Sequence, residues 1–322
     1  MVDLESSVRS WLSAWPIGAV LRASRTPTGT IHRVYCVETP EAVYYLRIYH
    51  YGERAAIDRE HAVIAHVARQ GLPVVLPLRT RAGTTLTRRQ NTYAALFPAA
   101  PGRLVAASPG RVGDITLGEM LARTHLALAN YPQHLVARRD YATNTAATLR
   151  EISRFEALIS AIADPSESDR FALNGLQAQR AWLAHAVRPE PQQASEQPIH
   201  GDYTLANLFA EHGRIVAIID WDQIYMATRG WEIIRALDLV LGYEPQRCAA
   251  FVEGYRRTLT LPIRELDAAA AAYGWMRAHD LWKYAAVYDQ GNDRVRAFFG
   301  PQGFEPHEHH WRAVRESLLE SE

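Results

Sequence analysis

One stretch constrains this chain more than any other: residues 199–222, IHGDYTLANLFAEHGRIVAIIDWD. Two apolar runs, residues 208–209 and 215–219, flank His212-Gly213, and this pattern predicts two short strands around a turn. The hairpin sets Asp202 and Asn207, five apart in the loop before the first strand, near Asp220 at the end of the second. A carboxylate emerging from five apolar residues costs desolvation unless a cation or donor meets it. Asn207 and Asp220 together offer two oxygen ligands, which suits Mg2+, an ion that keeps several waters and takes other oxygens from phosphates. Asp202 is not needed for the metal and is placed to accept a hydroxyl proton. A base Asp, an Asn five residues on and a metal-binding Asp make the division of labour of kinase-type phosphoryl transfer.

The rest of the chain reads as two lobes. Residues 4–15 predict a short amphipathic helix. Residues 30–38 and 42–49 predict strands of an antiparallel hairpin, because the Thr39-Pro40-Glu41 turn is too short for a parallel crossover. Residues 55–70 have helical spacing, with Ile57, His61, Ile64, Ala65 and Ala68 on one face and Gly71 to cap the end. Residues 74–76 are a short extended run, and 84–88 with 92–97 form a second hairpin. Pro98, Pro101 and Gly102 then break the pattern, so the boundary falls between a β-rich lobe, 1–98, and a helix-rich lobe, 99–322. In the latter, helices are expected at 117–128, 143–163 and 172–187, a polar loop at 189–198, and mostly helix from 231 onward.

Charge and cysteine content exclude several classes. The 35 basic residues balance the 35 acidic ones, which argues against a uniformly basic nucleic-acid binder. Yet residues 1–98 hold 12 Arg against 7 acids, and Lys283 is the only Lys in the chain. Two distant cysteines, Cys36 and Cys248, form no disulfide framework and fit a reducing, cytoplasmic setting. No apolar run has the length of a signal peptide or a membrane span, so neither a leader nor a membrane partner is expected.

With His200-Gly201-Asp202, Asn207 and Ile219-Asp220-Trp221-Asp222 in place, the chain resembles the aminoglycoside phosphotransferase and choline kinase-like family, which includes type II homoserine kinases. Further matches are Tyr45-Leu46-Arg47-Ile48, Glu60, Ala95-Leu96-Phe97-Pro98 and the Leu-x-x-x-His ending of LGEMLARTH at His125. The resemblance implies an α+β, protein-kinase-like two-lobe fold, with an N-terminal antiparallel sheet lobe and a mainly helical C-terminal lobe. It implies ATP and Mg2+ as cofactors and a small-molecule hydroxyl acceptor: an aminoglycoside, an amino alcohol such as choline, homoserine or a sugar. Carried over residue by residue, Asp202 is the catalytic base, Asn207 and Asp220 hold Mg2+, and Arg47 contacts the nucleotide phosphates with Glu60 as its partner. Leu96 and Phe97 belong to the hinge that meets adenine, Gly29 to the nucleotide-covering loop 24–35, and His200 braces the catalytic loop. Asp222 assists the metal or faces the acceptor.

The chain departs from the family pattern at four places. Arg47 stands where protein kinases have Lys, loop 24–35 has a single glycine, Glu232 lies where an Asp is common, and YTLA at 203–206 replaces a more polar loop. Two other functions share the fold: an atypical protein Ser/Thr kinase of stress-response type, and an ATP-binding pseudokinase. The absence of an activation segment after Asp222 disfavours the first, and the presence of all three central polar residues disfavours the second. The PHEHHW cluster at 306–311 reads as a helix start rather than a metal site. In the aromatic run from Trp275 to Tyr288, Asp280 or Asp289 is a candidate for touching substrate.

Overall fold

A computed structural model of the chain describes residues 6–26, 32–49, 54–139, 143–190 and 195–320. It divides into two compact units. The first comprises residues 1–137, 197–227 and 253–259; the second comprises 138–196, 228–252 and 260–322.

The first unit starts with a helix, α1 (Ser6–Leu12), and an antiparallel sheet made of β1 (Arg22–Arg25), β2 (Arg33–Glu38), β3 (Val43–Tyr49), β4 (Thr87–Arg89) and β5 (Thr92–Pro98), in the order β1-β2-β3-β5-β4. A helix, α2 (Arg54–Arg69), separates β3 from β4. Period-two alternation gives the sheet two buried faces. Tyr35, Val37, Leu46, Ile48, Ala94 and Leu96 pack with α1 and Trp15 on one side. Tyr49, Ala95 and Ile57 of α2 pack on the other. Both faces are covered, so the strands read as nearly continuous apolar runs. Each fully buried aliphatic side chain contributes roughly 1.5–3 kcal/mol.

After β6 (Arg103–Leu104) comes the long α3 (Gly110–Ala129). Its buried His125 bonds through Nδ1 to the Tyr255 hydroxyl at 2.8 Å. The hairpin expected at 208–219 is present as β8 (Leu208–Glu211) and β9 (Arg214–Ile218), with β6 on its outer edge. His212 and Gly213 both adopt positive φ at the turn. Val74, in the extended run after α2, bridges Ile218 in parallel, so the hairpin is tied to the chain that follows α2.

The second unit is helical. Ile152, Phe155 and Ile159 of α4 (Thr145–Ser160) pack with Ala172, Leu176 and Leu183 of α5 (Glu167–Leu183) and with Tyr284, Val287 and Phe299. Asn144 caps α4 by accepting from the Ala147 amide at 3.0 Å. Ser166 and Asp169 form a reciprocal capping box on α5. The polar loop expected at 189–198 ends early, because residues 196–199 form β7 (Glu196–Ile199). It pairs with β10 (Tyr225–Thr228), and all but one residue of each of these strands belongs to the first unit. Pro198 is tolerated because a two-stranded ribbon leaves edge amides unused. The chain ends in α6 (Arg229–Leu239), α7 (Pro245–Arg256), α8 (Ile263–Ala278), the short α9 (Trp282–Tyr284) and α10 (His307–Glu320). Gly230 lets α6 approach α8 closely, since a Cβ there would lie 3.0 Å from Ala269 Cβ.

Candidate active site

The first unit contains the whole predicted constellation. On β3, Leu46 and Ile48 face α1, so Arg47 and Tyr49 face α2. Arg47 Nη1 donates to Glu60 Oε1 of α2 at 2.9 Å. Nη2 donates to Asp220 Oδ1 at 2.5 Å and lies 3.5 Å from Asp222 Oδ2. The pairing is enclosed: 16% of the Arg47 side chain is exposed and 4% of Glu60. Burial disfavours the charged guanidinium, but Glu60, Asp220 and Asp222 outweigh it and hold Arg47 above its ordinary value. Burial pushes the Glu60 carboxyl up to about 7, against the opposing pull of Arg47. Asp222 is held below the usual carboxylate range despite burial, because His32 and Arg47 favour its anion.

The loop that carries Asp202 is braced from inside. His200 is fully buried. Its Nδ1 accepts from the Asp202 amide at 3.2 Å, and its Nε2 sits 3.1 Å from the Ile219 carbonyl. A neutral imidazole does both when Nε2 carries the proton. His200 thereby links the loop holding Asp202 to the strand end holding Asp220. Gly201 is equally constrained: its φ is +82°, and a Cβ there would come within 2.3 Å of the Gln223 carbonyl oxygen. Asn207 Nδ2 donates to the Asp202 main-chain oxygen at 2.9 Å and to Asp202 Oδ2 at 2.8 Å. Both bonds use the amide nitrogen, so the side-chain oxygen is the Asn207 atom suited to a cation. The Ile219 amide donates to the Asn207 carbonyl at 3.0 Å, so Asn207 and Asp220 are held one peptide apart across the hairpin. Asp220 is left-handed, φ 65° and ψ 63°, a conformation that costs a non-glycine residue of order 1 kcal/mol and that clusters at functional sites.

The donor set fits Mg2+. Three carboxylates surround one guanidinium, an excess of negative charge that a divalent cation would offset, and Asn207 and Asp220 supply hard oxygen atoms. Among the described residues no three His, Cys, Asp or Glu side chains gather into a metal cluster.

The remaining predicted residues divide. Phe97 pairs with Tyr45 in the sheet, shares the Arg47 face and stacks edge-on against His61. Leu96 does not join that face. One position earlier on β5, it points into the α1-side core, and its carbonyl accepts from the Leu78 amide at 2.7 Å. Gly29 lies outside the described residues, and the loop expected at 24–35 is narrower than predicted, because residues 22–25 and 33–38 are strands. In the second unit, both carboxylate oxygens of Asp289 are engaged by Arg154 at 2.8 and 2.9 Å, and Asp280 caps the Trp282 amide at 3.0 Å. His307 bonds to the Tyr243 hydroxyl, while His309 and His310 lie 3.6 and 3.4 Å from Glu305.

Sequence reasoning missed four side chains around the pair. His32 Nε2 lies 3.5 Å from Asp222 Oδ2. Behind Glu60, the Tyr49 hydroxyl donates to Oε2 at 3.3 Å and lies 3.3 Å from His61 Nε2, while His61 Nδ1 is 2.8 Å from Thr85 Oγ1. Tyr49 was visible as the next residue on Arg47's strand face, and His61 as Glu60's neighbour. Nothing local marks His32 or Thr85.

A family model described as the phosphotransferase enzyme family matches residues 23–279. The chain belongs to that family. Among its curated relatives, a homoserine kinase of Methylobacterium nodulans is 27% identical over 221 residues, 67% of this chain and 64% of that protein. A homoserine kinase of Burkholderia thailandensis is 27% identical over 130 residues, 40% of this chain and 39% of that protein. The chain therefore matches less than two thirds of either relative's length. Among solved structures, an aminoglycoside phosphotransferase from Alicyclobacillus acidocaldarius superposes with a TM-score of 0.66 at 12% identity, covering 97% of this chain and 95% of that one. The spectinomycin phosphotransferase APH(9)-Ia in complex with ADP and spectinomycin gives 0.65 at 12% identity, covering 99% and 94%. Amicoumacin kinase in complex with AMP-PNP, Ca2+ and Ami gives 0.60 at 16%, covering 95% and 97%. These likenesses show the fold: α+β and protein-kinase-like, with the antiparallel sheet and the mainly helical remainder. Among the described residues no helix is long and apolar enough to cross a membrane.

Proposed function

We propose that this chain is an ATP- and Mg2+-dependent phosphotransferase that moves the γ-phosphate to a hydroxyl of a small molecule. The observation that carries the reading is the convergence of Arg47, paired to Glu60, on Asp220, with Asn207 and Asp202 locked together beside that strand end. When bound, Mg2+ would be held by Asn207 and Asp220, with Asp222 within reach of the same charge cluster, and would supply charge neutralisation at the transferring phosphate. Arg47 offers two separate guanidinium nitrogens to phosphate oxygens. Asp202, its carboxylate oriented by the Asn207 amide, orients the acceptor hydroxyl and accepts its proton. His200 keeps the two loops in register. Phe97 supplies an aromatic wall for adenine at the end of the 1–98 lobe, with Leu96 supporting it from the core. Positioning and charge dominate because the transition state is loose and anionic.

The named activity of the curated relatives puts homoserine first among acceptors, ahead of choline-like amino alcohols, aminoglycosides and sugars. A coupled nucleotide-turnover assay across such a panel tests the proposal. Asp202→Ala should lower transfer by about a hundredfold or more while nucleotide binding survives. Unimpaired transfer in that variant would remove Asp202 from its role.

A further inference from the structure

We propose that Tyr49, His61 and Thr85 form a proton-ordered brace that holds Glu60, and through it Arg47, in position for the nucleotide phosphates. This rests on reading Arg47 as the phosphate-binding cation. The three side chains come from three separate segments: β3, α2 and the run before β4.

With Glu60 ionised, as its pairing with Arg47 favours, their hydrogens have one consistent arrangement. The Tyr49 hydroxyl has a single proton and donates it to Glu60 Oε2. The phenol oxygen must then accept from His61, which places the imidazole proton on Nε2. Nδ1 is left as an acceptor, so the Thr85 hydroxyl donates to it at 2.8 Å. Every donor in the row points toward the carboxylate. Burial favours the neutral imidazole this order requires. Tyr49 also braces Arg47 directly, since the guanidinium carbon lies 5.6 Å from the centre of its ring.

The brace has work to do when nucleotide arrives. Arg47 is now held from two sides, by Glu60 through one nitrogen and by Asp220 through the other. Were Asp220 to turn to a bound metal, Glu60 would be the nearest remaining anchor, with Asp222 at 3.5 Å, and a carboxylate free to rotate would let the guanidinium swing. Tyr49 and His61 are thus positioning residues, with no contact to the reacting atoms.

Two measurements test this. In the resting protein, 15N spectra of labelled histidine should show His61 neutral with the proton on Nε2 at pH 8, where Glu60 is ionised. A proton on Nδ1 overturns the order. In nucleotide titrations with Mg2+, Tyr49→Phe, which keeps the ring, should weaken binding about tenfold. His61→Leu should do the same, and His61→Gln, which restores a donor, should recover most of the loss. In a Glu60→Ala background, Tyr49→Phe should add nothing. If wild type binds nucleotide, Arg47→Ala does not, and Tyr49→Phe binds as wild type, the brace is refuted and the functional reading stands. If Tyr49→Phe weakens binding equally with and without Glu60, the role is structural and the proposal fails. If wild type binds no nucleotide, the functional reading falls and takes the brace's role with it.

Discussion

Replacing Arg47 by Met takes the guanidinium away from a carboxylate that is 4% exposed, and the cost should depend on pH in a calculable way. In the folded chain burial raises the Glu60 carboxyl to about 7, above its ordinary value of 4.5. The native state therefore binds this proton more tightly than the unfolded chain. Its contribution to stability is complete below about 4.5, is lost as pH rises to about 7, and is flat beyond. Without Arg47 the largest pull against burial is gone, so the native carboxyl titrates higher still and the loss continues past 7. One proton held by the native state and not by the unfolded chain costs about 1.4 kcal/mol per pH unit. Wild type and Arg47→Met should thus differ, on this account, by less than about 1 kcal/mol near pH 7 and by roughly 2–3 kcal/mol at pH 9. Urea unfolding at pH 6, 7, 8 and 9 measures this, and adding Glu60→Gln to Arg47→Met should abolish the divergence. Parallel stability profiles for wild type and Arg47→Met would refute the claim that the guanidinium sets the Glu60 titration.

Three further outcomes are expected. Gly201→Ala puts a Cβ 2.3 Å from the Gln223 carbonyl at a φ of +82°, so it should destabilise the protein by at least about 1–3 kcal/mol and depress transfer; chemical denaturation and the turnover assay check both. Asp169→Ala removes the acceptor of Ser166, Tyr288 and Arg296 at 2.6–2.9, 2.7 and 2.5 Å from a buried position, and should cost about 3 kcal/mol of unfolding free energy without changing nucleotide affinity. His307 is pushed down to about 4 by burial, so it binds fewer protons folded than unfolded; stability should fall by up to about 3 kcal/mol as pH drops from 6.5 to 4, and His307→Gln should flatten that slope in acid unfolding curves.

Where the chain repeats a strong local pattern, the structure follows it. The β2–β3 hairpin, α2 and the β8–β9 hairpin lie where alternation, helical spacing and turn residues predict them, within a few residues. The elements that escaped are those stabilised from outside. β7 contains Gln197 and Pro198, and β10 is only four residues long; each is a strand because the other pairs with it. β1 reads as the start of a loop, and only its register with β2, Arg22 opposite Glu38, reveals it. The site follows the same rule. Asp202, Asn207 and Asp220 sit in one contiguous motif, so their spacing carries the chemistry. Arg47 and Glu60 were reached through family resemblance, since nothing local joins a strand Arg to a helix Glu thirteen residues away. A hinge tetrapeptide does not announce its sheet parity; the pairing of Leu46 with Leu96 is what turns the Leu96 side chain to the α1-side core and Phe97 to the Arg47 face.

The abundance of Arg makes Arg47 look unremarkable: with 34 Arg and one Lys, this position would carry Arg on composition alone. Geometry gives it a separate reason. Nη1 and Nη2 serve different partners on different segments, Glu60 of α2 and Asp220 at the end of β9. An ammonium is a point charge that would have to sit between two carboxylates, whereas a planar fork reaches both at hydrogen-bond distance with one fixed orientation. That orientation is what the left-handed Asp220 backbone and the row of donors behind Glu60 maintain from opposite sides. The Arg-rich composition therefore supplied a residue whose shape the site exploits, and the carboxylate excess around it is the charge that the proposed divalent cation would offset.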